Sequence, residues 1–384
     1  AVGLGTLAAN RTRVTGFLKD AHGAVTGAVV TDLESGQTRE IRAARVINAT
    51  GVWTEATQDL AADAGGLRVL TSKGIHVVVP KEAIDAETGI FLRTEKSVLF
   101  IIPWPRYWVI GTTDTPWSED PSKPVATAAD IDYVLDHANE VLSRPLTRDD
   151  IIGTYAGLRP LLQPRLKPGA QAASTKVSRE HTVTRVAPGL TSIAGGKLTT
   201  YRVMAADAVD FALGVEQTKV HPTCTERLAL VGAEGLDEVT ARSGEIARAH
   251  GWTLARVDHL LSRYGAETQD LLELIDAKPE YGQPLKSAPA FLKAEVAWAV
   301  THEGALHLDD IIVHRVRLDL EHRDHGLAAA DEIAEIAAPL LGWSKDDVAA
   351  ELAAYARRCT ALAQAEKETE DAAAAAHLDG LGQV

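Results

Sequence analysis

Two cysteines in 384 residues, Cys224 and Cys359, exclude a disulfide framework, and neither sits in a zinc-type spacing. That scarcity fits a reducing compartment. No run approaches the roughly 18 consecutive apolar residues of a spanning helix. No basic-then-apolar signal segment opens the chain. Met204 is the single methionine and the chain starts at Ala1, which reads as a cut. Positive charge is in the minority, with 39 Lys and Arg against 53 Asp and Glu. A net charge of −14 argues against nucleic acid as a partner, while a local basic pocket for a small anion stays open. Apolar residues make up an ordinary 46%, and the length suggests two domains.

The first two hundred residues read mainly as strand and turn. Arg11 to Val14, Ala24 to Thr31 and Glu40 to Ile47 are β-rich runs parted by turn residues, and predict an antiparallel meander. Arg45 to Gly51 is expected to complete it, ending in small residues that let the backbone approach a ligand. Further strands are expected over Gly74 to Pro80, Ser97 to Ile102, Trp108 to Thr112 and Leu190 to Ile193. Apolar spacing predicts a helix over Asp130 to Leu142. Past about residue 220 amphipathic helices take over. Thr253 is an expected N-cap, Gly265 a terminator, and Ser344 with Asp347 a capping box.

Gly3-Leu4-Gly5-Thr6-Leu7-Ala8 matches a dinucleotide fingerprint in letters only, because no strand precedes it. It reads as a helix tail. The run Ser192 to Tyr201 is stronger. A strand, the pair Gly195-Gly196, then Lys197 and a helix start would aim backbone N–H groups and positive charge at an anion or electron-rich ring. A plain strand-to-helix turn is the alternative. Arg159, before Pro160, and Arg179, in Ser178-Arg179-Glu180-His181, are candidate oxyanion ligands against the ordinary reading of surface ion pairs. His76 sits within a strand, where histidine is more often structural than catalytic. His302, His307, His314, His322 and His325 match no metal spacing and read as a solvated helical face. No metal site is expected.

Seven runs occur together and in order: Asn48-Ala49-Thr50-Gly51-Val52-Trp53, Ser72-Lys73-Gly74-Ile75-His76, Ile102-Pro103-Trp104, Gly111-Thr112-Thr113-Asp114, Tyr155 to Pro160, Ser178 to His181 and Gly195 to Arg202. Their order and spacing resemble the FAD-dependent glycerol-3-phosphate dehydrogenases along essentially the whole chain. Members of that family begin with roughly 150 further residues carrying the true glycine-rich phosphate loop. His314-Arg315-Val316-Arg317 also departs from the family's usual Arg-Arg-Thr-Arg run.

The resemblance implies a mixed α/β and all-α fold. An incomplete FAD-binding domain of the glutathione-reductase kind would occupy residues 1–64 and 191–220. An interleaved antiparallel β substrate cap would occupy 65–190, and a helical C-terminal domain 232–384. It implies oxidation of sn-glycerol 3-phosphate to dihydroxyacetone phosphate, with hydride passing to FAD and electrons to a membrane quinone. His76 would be the base, Arg159 the oxyanion cation, Arg179 with Thr113 the phosphate ligands, and Lys197 a catalytic cation near the flavin edge. Ala49, Thr50, Gly51, Trp53, Gly195, Gly196, Lys197, Leu198 and Thr199 would line the flavin or its linker, and Val14 would face the adenine end. The protein is expected at the cytoplasmic face of the membrane without spanning it, with homodimerisation left open. Two alternatives stand: an oxygen-using oxidase of the same superfamily, including one acting on an amino acid, and a non-catalytic fragment.

Overall fold

β-Branched residues between Asp- and Gly-bearing turns shape the first third of the chain. In the computed structural model, residues 1–61, 66–94, 98–162 and 180–381 are described. Their strands are β1 (Thr12–Lys19), β2 (Val25–Asp32), β3 (Thr38–Arg42), β4 (Val46–Asn48), β5 (Val69–Pro80) and β6 (Ile90–Arg93). Then follow β7 (Val98–Pro103), β8 (Tyr107–Gly111), β9 (Thr115–Pro116), β10 (Gly153–Leu162), β11 (Thr182–Ala187) and β12 (Leu190–Ala194). The chain divides into two units. The first comprises Ala1–Gly74, Asp114–Pro121 and Gly157–Leu228, the second Ile75–Thr113, Ser122–Ala156 and Ala229–Val384.

In the first unit, β1, β2 and β3 form the expected antiparallel meander. Asp20 closes one turn by accepting from the His22 and Ala24 N–H groups, each at 2.9 Å. Asp32 closes the next, accepting from the Glu34 N–H at 3.0 Å and the Ser35 hydroxyl at 2.6 Å. The expectation that Arg45 to Gly51 completes this meander is corrected. The Ala43 N–H still bonds the Thr26 carbonyl at 3.0 Å, but the Val46 N–H bonds the Gly189 carbonyl at 2.9 Å. β4 therefore pairs parallel with β12, in a sheet of order β11-β12-β4. The Gly3 to Ala8 run is a single 3-10 turn, Val2–Leu4, closed by left-handed Gly5, rather than a helix tail.

The other sheet has the order β10-β5-β8-β7-β6, with β9 paired to the start of β5. In the second unit, Ile75, Val77, Val79, Leu99, Ile101, Trp108 and Ile110 fill one face of it, each 0% exposed. Against them pack Ile131, Val134, Leu135 and Ala138 of the helix Ala128–Asn139. Thr127 and Asp130 cap that helix reciprocally. It stops short of the expected Leu142 because the Asn139 carboxamide turns to the Leu146 backbone, donating at 2.9 Å and accepting at 2.7 Å. Tyr155 to Pro160, assigned to no element from the sequence, lies inside β10.

Helices fill the rest of this unit. Thr253 caps Leu254–Tyr264 and Gly265 ends it, and Ser344 with Asp347 boxes the start of Lys345–Ala365. The expected solvated histidine face is corrected. The region is a series of short turns, including a π-helical one at Asp310–Arg315, so sequence spacing creates no common face. His302 stacks on Trp298 at 3.7 Å, His307 bonds Glu351 at 2.7 Å, and His325 is buried. Among the described residues no group of three or more His, Cys, Asp or Glu side chains is arranged to hold a metal.

A buried charge hub ties the β7–β8 turn to these helices. Arg106 grips Glu321 with two hydrogen bonds, 2.8 and 2.7 Å, and lies over the Phe291 ring. It also donates to His259 Nδ1 at 2.8 Å, which leaves the Nε2 proton for Glu295 at 2.9 Å. Glu295, 0% exposed, further accepts from the Leu292 N–H at 2.7 Å and the Tyr264 hydroxyl at 3.3 Å. Burial alone would raise its carboxyl pKa. The His259 hydrogen bond, the charge of Arg263 and the Leu292 N–H outweigh burial and hold it below its ordinary value. Glu295→Ala would strand these donors, so we predict a loss of about 3–5 kcal/mol in urea unfolding. A loss below about 1 kcal/mol would place the hub at solvated-pair strength.

Two other groups give the same unit an opposed pH response. Burial, and then Arg358, lowers His325 to about 4. Burial raises Asp319 to about 6 against the pull of Arg358. The His325 contribution is present above its ordinary pKa and is lost as pH falls towards about 4. That of Asp319 is present below its ordinary pKa and is lost as pH rises through about 6. The slopes oppose between these values, so Asp319→Asn should make stability climb more steeply from pH 4 to 6 than in the parent protein. Unfolding midpoints across that range check this; an unchanged profile would refute it.

Candidate functional site

Parallel strands leave their carboxyl ends on one edge, and connecting loops gather there. β4 and β12 pair with Asn48 opposite Ser192, so Ala49 to Trp53 and Gly195 to Thr199 leave from neighbouring strand ends. The Asn48 carboxamide fastens them. Only 3% exposed, it donates to Ser192 Oγ at 3.1 Å and to the Thr54 carbonyl at 3.2 Å. Its oxygen accepts from the Thr50 hydroxyl at 2.7 Å and the Thr50 N–H at 3.3 Å. Both donors and both oxygen lone pairs of this amide are accounted for by protein, as burial demands.

After β12 the chain turns through two left-handed glycines, Gly195 at φ 80° and Gly196 at φ 78°. A Cβ on Gly195 would lie 2.6 Å from the Glu180 carbonyl; on Gly196 it would lie 2.4 Å from Met204 Sδ. The glycines therefore let a thin backbone bend there before the 3-10 turn Leu198–Thr200 and the helix Tyr201–Leu213. Thr200 Oγ1 receives the Lys197 N–H at 3.3 Å and donates to its carbonyl at 3.0 Å. Leu198 and Trp53 present large apolar surfaces, 88% and 47% exposed. Their positions at these strand ends suit a flat, largely apolar ring system with polar edges. Val14 lies on β1, in the other sheet of this unit.

The same unit holds Arg159. Its guanidinium meets Asp114 at 3.4 Å, and Asp114 also accepts from the Ser72 hydroxyl. Lys73 is buried beside the Trp117 ring, 5.4 Å from its centroid. Arg179 lies outside the described residues. Neighbouring His181 bonds Asp207 at 2.8 Å.

The second unit holds His76 and Thr113. Thr113 is 2% exposed and its hydroxyl accepts from the Ile75 N–H at 3.1 Å, bracing β5 one residue before the histidine. The His76 ring stacks on Tyr155, with centroids 4.7 Å apart and planes 10° from parallel. Burial, and then Tyr107, holds the Tyr155 phenol above its ordinary pKa, so a neutral ring faces the imidazole.

Sequence reasoning had named Asn48 and Asp114 only as letters of motifs and gave Tyr155 no role. An asparagine closing a short apolar strand is a signal for a buried tether. Gly153 to Leu162 shows no apolar-polar alternation, and its two glycines and Pro160 speak against a strand, so Tyr155 beside His76 was not legible in sequence. Asn48→Ala should cost about 1–3 kcal/mol by leaving Ser192 and Thr50 unpaired. It should also speed proteolysis within residues 49–57; protection there equal to the parent's would contradict the tether.

Two family models match the chain. One described as FAD dependent oxidoreductase covers residues 1–202, and one described as the C-terminal domain of alpha-glycerophosphate oxidase covers 223–348. A glycerol-3-phosphate dehydrogenase of Mycobacterium leprae (strain TN) is 46% identical over 363 residues, 94% of this chain and 61% of that protein. Glycerol-3-phosphate dehydrogenase 2 of Mycobacterium tuberculosis (strain ATCC 25618 / H37Rv) is 45% identical over the same shares. The chain thus spans 61% of the length of these relatives. The crystal structure of a glycerol-3-phosphate dehydrogenase from Bacillus halodurans complexed with FAD has a TM-score of 0.78 at 27% identity, covering 94% of this chain and 70% of that one.

Proposed function

We infer, because the chain belongs to the FAD-dependent oxidoreductase family and within it to the glycerol-3-phosphate dehydrogenases, that the whole protein oxidises sn-glycerol 3-phosphate to dihydroxyacetone phosphate. The observation that carries this reading is the pairing of the Ala49–Trp53 and Gly195–Thr199 loops at adjacent parallel strand ends. Those residues fit FAD: the left-handed glycines keep side chains out of its way, and Trp53 and Leu198 offer apolar surface. Thr50, Gly51, Trp53, Gly195, Gly196, Lys197, Leu198 and Thr199 would hold the ring or its linker, and Val14 the adenine end. When bound, FAD supplies a two-electron acceptor for the C2 hydride.

The side chains do the rest. His76 takes the C2 hydroxyl proton, since hydride departs readily only from an alkoxide-like carbon. Arg159 steadies the developing oxyanion, and Lys197 adds positive charge beside it. Arg179 holds the phosphate. For Thr113, whose hydroxyl already accepts from the Ile75 N–H, holding the strand beside His76 is the better supported task. Electrons pass on to a membrane quinone at the inner face of the cell membrane. No helix among the described residues is long and apolar enough to cross a bilayer. With a net charge of −14, attachment through an apolar surface suits the protein better than attraction to anionic lipid.

An oxygen-using oxidase is the second reading, favoured by the match of residues 223–348 to the alpha-glycerophosphate oxidase domain. Anaerobic glycerol 3-phosphate should bleach the flavin-loaded protein near roughly 450 nm, and a quinone analogue should restore the colour. Restoration by oxygen alone would favour the oxidase; no bleaching would sink both. Arg159→Ala should lower kcat/KM on the order of 10²- to 10³-fold while flavin content stays constant. A loss confined to flavin content would remove Arg159 from the chemistry.

A further inference from the structure

The sheet register sets four residues in one row across neighbouring strands: Phe91 opposite Phe100, Phe100 opposite Gly111, and Gly111 opposite His76. Directly paired residues share a face of the sheet. This face is the one turned away from the core, for Phe91 and Phe100 are exposed while Leu99, Ile101 and Ile110 are buried. Three of the four carry rings, and Phe91 meets Phe100 edge-on at 5.2 Å. Gly111 is the gap in the row.

The imidazole occupies that gap. A Cβ on Gly111 would lie 2.3 Å from His76 Cδ2 and 2.7 Å from its Cγ, far inside van der Waals contact. The ring therefore lies down over the glycine backbone. Its face is covered by Tyr155 of β10, stacked at 4.7 Å and 10°. Two of the ring's freedoms, rotation towards β8 and tilt away from the sheet, are blocked by backbone on one side and phenol on the other. The Thr113 hydroxyl fixes the strand at Ile75, one residue earlier.

We propose that Tyr155 and Gly111 form a clamp that presets the plane of the His76 ring, making Tyr155 a positioning residue for proton removal through its ring face and not its hydroxyl. This rests on the assignment of His76 as the base. A base pays off only when its lone pair meets the proton within hydrogen-bond reach, and misplacement by about 1 Å costs roughly a hundredfold. A stiff phenol at stacking distance restricts the imidazole without adding a competing charge. Phenylalanine retains that function and alanine does not.

Two measurements test the clamp. In the 384-residue chain labelled with ¹³C-histidine, the His76 resonance, identified by its loss in His76→Asn, should be displaced by the Tyr155 ring current. The displacement should disappear in Tyr155→Ala and persist in Tyr155→Phe. In the flavin-loaded protein, Tyr155→Ala should lower kcat about ten- to a hundredfold with KM and flavin content little changed. Tyr155→Phe should stay within about twofold of the parent, and Tyr155→Ala should add little once His76→Asn is present. A His76 resonance unmoved by Tyr155→Ala, or Tyr155→Phe as slow as Tyr155→Ala, overturns the clamp. An unchanged kcat in His76→Asn instead overturns the base assignment and with it the clamp's catalytic purpose, a result the resonance displacement cannot imitate.

Discussion

The candidate cofactor edge depends on one side chain, the carboxamide of Asn48. Three ladder residues of β4 pair with β12, too short a run to hold a register by backbone bonds alone. The buried amide adds bonds to Ser192 across the strand pair and to Thr50 and Thr54 along its own loop. Because the pairing is parallel, that one fastening point lies where both chains leave the sheet. An antiparallel partner for β4 within the meander would have sent the two loops to opposite ends. The change of sheet at Ala43 to Val46 thus brings the Ala-Thr-Gly and Gly-Gly-Lys runs, more than a hundred positions apart in sequence, to one edge.

The second unit meets a different constraint. Its β7–β8 turn carries Arg106, whose guanidinium would be costly to bury alone. The helices answer with Glu321 and with His259 backed by Glu295. The bonds run from Glu321 through Arg106 and His259 to Glu295, which also accepts from the Leu292 N–H. Such a chain fixes distances and directions in a way an apolar contact does not. The sheet face with Ile75, Val77 and Val79 is held from one side by the helix Ala128–Asn139, and the turn at its end by the hub. His76 lies on the strand so fixed.

Local chemistry made much of this legible. The turns at Asp20 and Asp32, the caps at Thr253 and Ser344, and the alternation of β7 and β8 depend on neighbours in sequence, and the sequence shows them. What depended on distant partners was misread. β4 has strand letters whichever sheet it joins, and only Gly189 and Ser192 decide. The histidines beyond residue 300 looked like a face because their region was taken as continuous helix, whereas short turns scatter them. The motif letters singled out Gly195, Gly196, Arg159 and His76. They did not reveal that Asp114 pairs with Arg159 or that Tyr155 covers His76, since both contacts join strands far apart in sequence.

Glycine conservation of space explains why these neighbourhoods tolerate so little side-chain bulk, and it does so by two mechanisms. At Gly195 and Gly196 the backbone itself is the reason: left-handed torsions and a carbonyl 2.6 Å from the first missing Cβ forbid a side chain even before any ligand is considered. At Gly111 the demand comes from the neighbouring strand, whose His76 ring and Ile75 carbonyl, 2.8 Å from the missing Cβ, leave no room. A substitution at the first pair would distort the chain that carries it. A substitution at Gly111 would press on both the His76 ring and the Ile75 carbonyl of the paired strand. The first arrangement leaves bare backbone at the end of β12. The second leaves room for one side chain, the imidazole that Tyr155 covers from its other face.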